Sequence, residues 1–291
     1  MILFYKILNR LNLLKYININ ARISIKNDSF NIPLINGLGL DNLNHQTSWI
    51  DHLLTHFKKQ DRSLVILDVG VNIGQTLLSI KNLDPNCEYI GFEPNSNCVY
   101  YVNKLIKANN FNNTTIFPLA ISDKIDTLDL YMNFDTDSTA TTIEAFRPKH
   151  YKHGFKERVV SFDLDTIIKK CLRVKAIDIL KIDIEGSELW ALKGARESIL
   201  LYNPVIICEV LDTHSTETLE SHIENLKSLE AFLKDIDYKI YQIHRNEADT
   251  KVIEYRVIHA FEVKLWNADS VKLNDYVFIP NNDLLLMSDI T

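Results

Sequence analysis

The chain reads as an α/β protein: one mostly parallel sheet with helices on both faces, preceded by an N-terminal cap and interrupted by a β-hairpin insertion. Three observations predict this. Short apolar runs rich in Val and Ile recur at 64–69, 88–93, 177–183 and 204–210, the signature of buried strands. Between them, apolar residues return at helical spacing over 74–82, 96–109, 187–200 and 216–234. The chemically distinctive residues cluster where the runs end. Such alternation implies right-handed crossovers and a ligand crevice beyond the C-terminal ends of the strands.

Taken in order, Phe4, Ile7, Leu8, Leu11 and Leu14 lie on one face of a helix, which packs on its own domain or rests on a membrane surface. Lys6, Arg10 and Lys15 interrupt it, so neither an uncharged signal core nor a spanning helix is expected there. Residues 17–25 and the stretch up to Ile35 read as a strand pair turning near Asn27-Asp28, a cap over the main sheet. A helix over 49–57 leads into the first core strand, followed by helix 74–82, strand 88–93, helix 96–109 and strand 114–119. The rhythm breaks at 125–165. Thr127–Met132 and Arg158–Leu164 read as a hairpin whose polar connection, Asn133 to Thr142, overhangs the ligand edge or is a plain surface loop. Regular alternation resumes with strand 177–183, helix 187–200, strand 204–210, helix 216–234, strand 238–244, a further strand over 255–263, and a last one at 275–279. Residues 1–60 are thus expected to form a helical/β extension and 61–291 the catalytic domain.

The densest signal is Leu64 to Thr76, where the strand ends in Asp68-Val-Gly70-Val-Asn72-Ile-Gly74. Glycines suit a sharp turn and close approach, and the free amides of the following helix N-terminus can donate to a ligand. Glu93 ends the next strand at about the distance, ~20 residues, by which an acidic residue follows such a loop to bind ribose hydroxyls. On its own the glycine turn is common packing; with Gly91-Phe-Glu-Pro94 it reads as a nucleoside seat. Asn72 stands where a dinucleotide fingerprint needs glycine for the pyrophosphate, and Asp68 would repel that group while attracting an ammonium. A nucleoside bearing an amino-acid tail, S-adenosylmethionine, fits.

A second cluster is Ile177-Asp-Ile-Leu-Lys181-Ile-Asp183-Ile-Glu-Gly-Ser187-Glu188. Charges inside a parallel strand need a polar pocket, and the period of two places Lys181 and Asp183 on one face. Glu209 ends the next strand at the same edge, so Lys181, Asp183 and Glu209 can converge on a reacting hydroxyl. Asp183 is the candidate base; Lys181 orients it, or itself acts as base if burial lowers its pKa. The two carboxylates could also hold a divalent cation, which the sequence does not require. The same three side chains would equally serve as an ion-pair brace of the strand ends. Ser187 suits a helix cap, and His214 follows the Glu209 strand within reach of the cleft.

Composition narrows the field. At 46% hydrophobic and 24% charged, the 291 residues support one sizeable core with additions. A net charge of -6 argues against broad contact with a nucleic-acid backbone, which needs clustered Lys and Arg. Cys87, Cys98, Cys171 and Cys208 lack metal-site spacing and read as buried free thiols of a cytoplasmic protein.

In order and spacing, Asp68–Gly74, Gly91–Pro94, Ala120-Ile-Ser-Asp123, Leu180–Leu189, Lys193-Gly-Ala195 and Pro204–Glu209 resemble the FkbM family of S-adenosylmethionine-dependent methyltransferases. The resemblance covers residues 64 to about 212 and implies a Rossmann-like class I methyltransferase sheet that methylates hydroxyls, often on sugars of glycans or on polyketide products. It further implies that Asp68, Gly70, Asn72 and Gly74 surround the methionyl part, that Glu93 meets the ribose, and that Ile121, Ser122 and Asp123 meet the adenine. Val71 departs from the family's usual alanine. RNA ribose methylation and a non-catalytic cofactor-binding scaffold are the competing readings.

Overall fold

A computed structural model describes residues 5, 10, 13–16, 18–25, 28–43, 48–58, 61–134, 137, 139–144, 154–267 and 270–282. Most of the amphipathic N-terminal stretch lies outside these residues; its Leu14 is described and fully buried.

Eight strands form the central sheet. Val65–Val69 (β3), Glu88–Phe92 (β4), Thr114–Phe117 (β5), Ile179–Ile182 (β9) and Val205–Glu209 (β10) run parallel. Asp275–Pro280 (β13) joins β10 antiparallel, and Tyr238–Arg245 (β11) and Val252–Ile258 (β12) follow, giving the order β12-β11-β13-β10-β9-β3-β4-β5. This is the mostly parallel α/β sheet that the sequence predicts, with an antiparallel run at one edge. The edge strand starts three residues earlier than its expected 255, because Asn246 closes a tight turn by accepting from the Thr250 and Lys251 amides, and it ends at Ile258 instead of 263.

Alternation within the strands sorts side chains to two faces. Ile66, Ile179, Val205 and Ile207 share one core with helices Trp49–Phe57 (α2), Gln75–Leu83 (α3) and Ser96–Asn109 (α4), which follow the short helix Leu40–Leu43 (α1). Leu67, Val69, Leu180, Ile182, Ile206 and Cys208 face Leu164–Cys171 (α5), Glu188–Gly194 (α6), Arg196–Tyr202 (α7) and Leu219–Asp235 (α8). The α2–α4 face therefore receives Asp68, Lys181 and Glu209 at its C-terminal edge, where the core gives way to a cleft. The single helix expected over 187–200 is broken between α6 and α7 at Ala195, for a reason given below.

The N-terminal hairpin, Asn18–Ile25 (β1) and Asp28–Ile35 (β2), forms as expected, but its principal seat is helix α4. Asn31 donates its amide to Asn109 Oδ1 at 2.7 Å, and Asn109 Nδ2 donates back to the Asn31 carbonyl at 2.7 Å. Phe30, Ile32 and Leu34 belong to the same apolar core as Tyr101, Val102 and Leu105. The cap thus covers the outer side of a helix rather than the sheet, because α4 already occupies that face. The insertion hairpin pairs Asp126–Met132 (β7) with Phe155–Phe162 (β8) antiparallel, and Ala120–Ile121 (β6) adds to it in parallel.

Candidate active site

The turn after β3 opens the site. Asn72 adopts φ +49° and Gly74, at the start of α3, φ +81°, so the chain leaves the strand through left-handed turns. Gly70, at φ +92°, serves a packing purpose: a Cβ there would sit 2.0 Å from the Asp183 carbonyl oxygen. The cofactor loop and the loop bearing the candidate base are in backbone contact. Val71 fits because residue 91 is glycine; a Cβ at Gly91 would lie 2.5 Å from Val71 Cγ2.

Around these loops lies a cavity of about 280 Å³. Gly70, Val71 and Asn72 form one wall, Glu93 and Pro94 the next, and Leu119, Ala120 and Ile121 a third. The Glu93 carboxylate accepts the Asn72 amide at 2.7 Å on one oxygen and the Asn95 amide at 2.8 Å on the other. Burial raises its pKa to about 7 even against those two donors. Asn95 in turn caps α4, accepting from the Asn97 amide at 2.9 Å.

Of the sequence candidates, Gly70, Asn72, Glu93, Ile121, Lys181, Asp183 and Glu209 line this cavity, whereas Asp68, Gly74, Ser122 and Asp123 do not. Asp68 is fully buried behind it, accepting a short hydrogen bond from Tyr89 Oη and lying 3.3 Å from Lys181 Nζ. Its carboxylate is fully buried, with Lys181 between it and Asp183. Ser122 and Asp123 are set one step outward, because the Ser122 carbonyl packs on Gly194, where a Cβ would approach it to 1.9 Å. That contact accounts for glycine at 194 and for the helix break beside it. Gly194→Ala should displace the 120–123 segment and cost about 1–3 kcal/mol; denaturant unfolding measures it, and unchanged stability would show that the contact does not constrain the fold.

The catalytic candidates converge. Lys181 Nζ lies 3.1 Å from Asp183 Oδ2, and Asp183 shares a hydrogen bond with Glu209. Burial opposes the Lys181 charge, but Asp183 and Asp68 outweigh it and keep the ammonium protonated beyond its usual range, the state in which it can orient Asp183. Burial also opposes ionisation of Asp183; the Lys181 charge and the hydrogen bonds from Glu209 and Lys181 prevail and hold its pKa below the ordinary carboxylate value. Glu209 goes the other way, raised by burial and then by the charges of Asp183, Asp275 and Glu185. One carboxyl of the pair is ionised and the other keeps its proton. Among the described residues Asp183, Glu185 and Glu209 also bring oxygens within 4.8 Å of one another, a spacing a divalent cation can bridge, although Lys181 already supplies compensating charge.

Several residues at the site escaped the sequence reading. Thr142, which lines the cavity, shares a hydroxyl contact with Ser187 at 2.7 Å, and Thr141 beside it donates from Oγ1 to the Glu185 carbonyl at 2.8 Å. With Asp137 and Ala140 also lining the cavity, the polar connection of the insertion does overhang the site. Its run of threonines was the available signal. Cys98, Gln75 and Thr76 enter from helix N-termini. His214 turns away to stack near Trp266, ring centroids 5.2 Å apart. The cysteines are free; Cys171 is exposed at the end of α5, contrary to the expectation of burial, while Cys87, Cys98 and Cys208 are buried.

A methyltransferase site is what this sheet edge and cavity define. The profile of the methyltransferase FkbM domain matches residues 68–240, more than half of the chain. The chain belongs to the FkbM family and is an S-adenosylmethionine-dependent methyltransferase. A curated relative, methyltransferase sdnD of Sordaria araneosa, is 24% identical over 219 residues, 67% of this chain and 80% of its own length. Among solved structures, the FkbM methyltransferase of Methylobacillus flagellatus KT aligns over 75% of this chain and 43% of its own at 16% identity and a TM-score of 0.45. Fibrillarin of Aeropyrum pernix with natively bound S-adenosyl-L-methionine aligns over 79% of this chain and 73% of its own at 13% identity and a TM-score of 0.38. Among the described residues no helix is long and apolar enough to cross a membrane.

Proposed function

We propose that this enzyme methylates a hydroxyl of a sugar, a glycan or a related natural product, with Asp183 as the base. The observation that carries the reading is geometric: Lys181 Nζ lies 3.1 Å from Asp183 Oδ2 and Glu209 is hydrogen-bonded to the same carboxylate, which favours the ionised form of Asp183 and the protonated form of Glu209. The bound cofactor supplies an electrophilic methyl group on a positively charged sulfur. Asp183 accepts the proton of the acceptor hydroxyl as its oxygen forms the new bond to carbon, and the carbon–sulfur bond breaks in line. Glu209 donates a hydrogen bond to Asp183 and so holds the basic oxygen in place. Lys181, tied to Asp68 behind and Asp183 in front, fixes the base in the strand register.

The cavity suits the cofactor. Ile121, Leu119 and Leu130 offer apolar surface for a purine, and each Glu93 oxygen, having accepted one amide, retains a lone pair for a ribose hydroxyl. Asp68 would then act at second hand, by placing Lys181. Asp137, Asp183 and Glu185 line one opening whose only lining cation, Lys181, is already paired, a poor seat for a phosphodiester backbone, which favours a glycoside over RNA. Peripheral membrane contact and a cytoplasmic location remain part of the proposal.

Calorimetric titration with S-adenosylmethionine, S-adenosylhomocysteine and NAD tests the cofactor assignment. Saturable binding of the two adenosyl ligands alone is expected; binding of NAD alone would overturn it. Affinity for S-adenosylhomocysteine should also rise with pH through about 7, because ribose hydroxyls donate better to an ionised Glu93 and its pKa stands at about 7 in the free protein. Glu93→Gln should bind more weakly and lose that pH dependence. An identical pH profile in both proteins would remove Glu93 from the ribose.

A further inference from the structure

A second cavity, of about 250 Å³, opens against the same catalytic groups. Ser48, Trp49 and Ile50 at the start of α2, Ser79 of α3 and Asp275 of β13 line it. Lys181, Asp183 and Glu209 line both cavities. Two chambers meeting at one base is the layout that a two-substrate displacement requires, since each reactant must reach the transfer point from its own side. We propose that this second chamber is the acceptor subsite and that it takes a neutral, polyhydroxylated ring, a single sugar unit laid against Trp49. The inference rests on the methyl-transfer reading of the first cavity.

Trp49 is a fixed platform. Its amide donates to the Asp249 carbonyl at 3.1 Å, and the Arg245 guanidinium stands over the indole, 5.0 Å from the ring centroid. Arg245 is itself held by Asp249 at 3.2 Å and Asp275 at 3.0 Å. An immobilised aromatic surface with carboxyl and hydroxyl groups around it matches the two-sided chemistry of a sugar ring, whose C–H face packs on the indole while its hydroxyls find polar partners. Charge selects further. The two cations, Lys181 and Arg245, are committed to ion pairs, while Asp183, Glu209 and Asp275 face the chamber. With Glu209 protonated and both cations already engaged by Asp68, Asp183, Asp249 and Asp275, a phosphate or carboxylate on the acceptor would meet no uncommitted cation among the lining residues. The volume lies just below the ~300–1,000 Å³ typical of ligand pockets, suited to one ring and not to a chain of them. Ser48, Trp49, Ile50 and Asp275 all fall outside the 68–240 match to the family. Acceptor choice is thereby assigned to the two segments that carry no family motif.

The test measures transfer of radiolabelled methyl from S-adenosylmethionine to methyl glycosides of neutral hexoses, to hexose 6-phosphates and to methyl glycosides of uronic acids. It uses the full chain and two variants that change the chamber in opposite directions: Trp49→Ala removes the platform, and Ile50→Trp fills the space. Calorimetry with S-adenosylhomocysteine accompanies each. Neutral glycosides should be methylated, and both variants should raise their KM about tenfold or more while S-adenosylhomocysteine affinity stays within about twofold, which also shows that they are folded. Wild-type KM in a variant that binds S-adenosylhomocysteine would overturn the proposal. So would preference for the phosphates or uronates, or a cofactor-binding enzyme that methylates no neutral glycoside. A wild-type protein that fails to bind S-adenosylhomocysteine would sink the methyl-transfer reading itself, and this inference with it.

Discussion

Asp183→Asn should lower kcat for methyl transfer about 10²–10⁴-fold, the range for losing a positioned general base, while S-adenosylhomocysteine affinity changes little. The substitution preserves the shape of the side chain and its hydrogen-bonding reach, so packing around Lys181 at 3.1 Å and beside Glu209 is retained and the proton acceptor is lost. The sign of the pH effect follows from the same geometry. With its pKa held below the ordinary value, Asp183 remains ionised at neutral pH, and kcat at saturating cofactor should fall only on acidification below the ordinary carboxylate pKa. Its favourable pairing with Lys181 contributes stability above the unfolded-state pKa and loses it as pH falls through the folded one. Turnover unchanged in Asp183→Asn would leave the Lys181–Asp183–Glu209 cluster as a structural brace.

Gly70→Ala should disable the enzyme by a different route, losing cofactor binding and stability together. The residue stands at φ +92°, and its Cβ would lie 2.0 Å from the Asp183 carbonyl oxygen, a backbone atom that cannot rotate aside. Left-handed backbone costs about 1–2 kcal/mol in a non-glycine residue, and forced overpacking adds about 1–3 kcal/mol. Gly37→Ala is the control: its φ is +88° but nothing lies within 4 Å of the added carbon. Thermal unfolding should show a small loss for Gly37→Ala and a markedly larger one for Gly70→Ala, with calorimetry finding cofactor binding weakened in the latter alone. Equal losses would mean that conformation, not the contact between the two loops, is what glycine supplies.

The central sheet was legible because its strands are short apolar runs ending in polar residues, and the period of two correctly grouped Lys181 with Asp183. What stayed hidden depends on residues far apart in sequence. The glycine motif predicts a tight turn and close approach, but nothing local shows that Gly70 also makes room for the Asp183 carbonyl, or Gly194 for that of Ser122. Asp68 looks like a cofactor contact from its place at the strand end; only the strands beside β3 show that Tyr89 and Lys181 enclose it. Glu209 and Asp183 are indistinguishable as carboxylates in a sequence, and neighbouring charges decide which one holds the proton. Trp49, Arg245 and Asp275 belong to three distant segments, so no local pattern joins them.

The N-terminal hairpin and helix α2 share one apolar core with the sheet, with Phe30, Ile32, Leu53 and Phe57 counted among the same buried neighbours as Ile66, Leu78 and Ile207. Modularity is the casualty. A fragment cut to begin at the first glycine motif would leave a bare hydrophobic flank on α3 and α4, so the leading segment cannot be exchanged between relatives like a detachable recognition arm. Any reshaping of the acceptor chamber through Trp49 must keep faith with the foundations of the whole domain. An attempt to redirect this enzyme should therefore replace side chains within the shared core's frame and leave the leading segment in place.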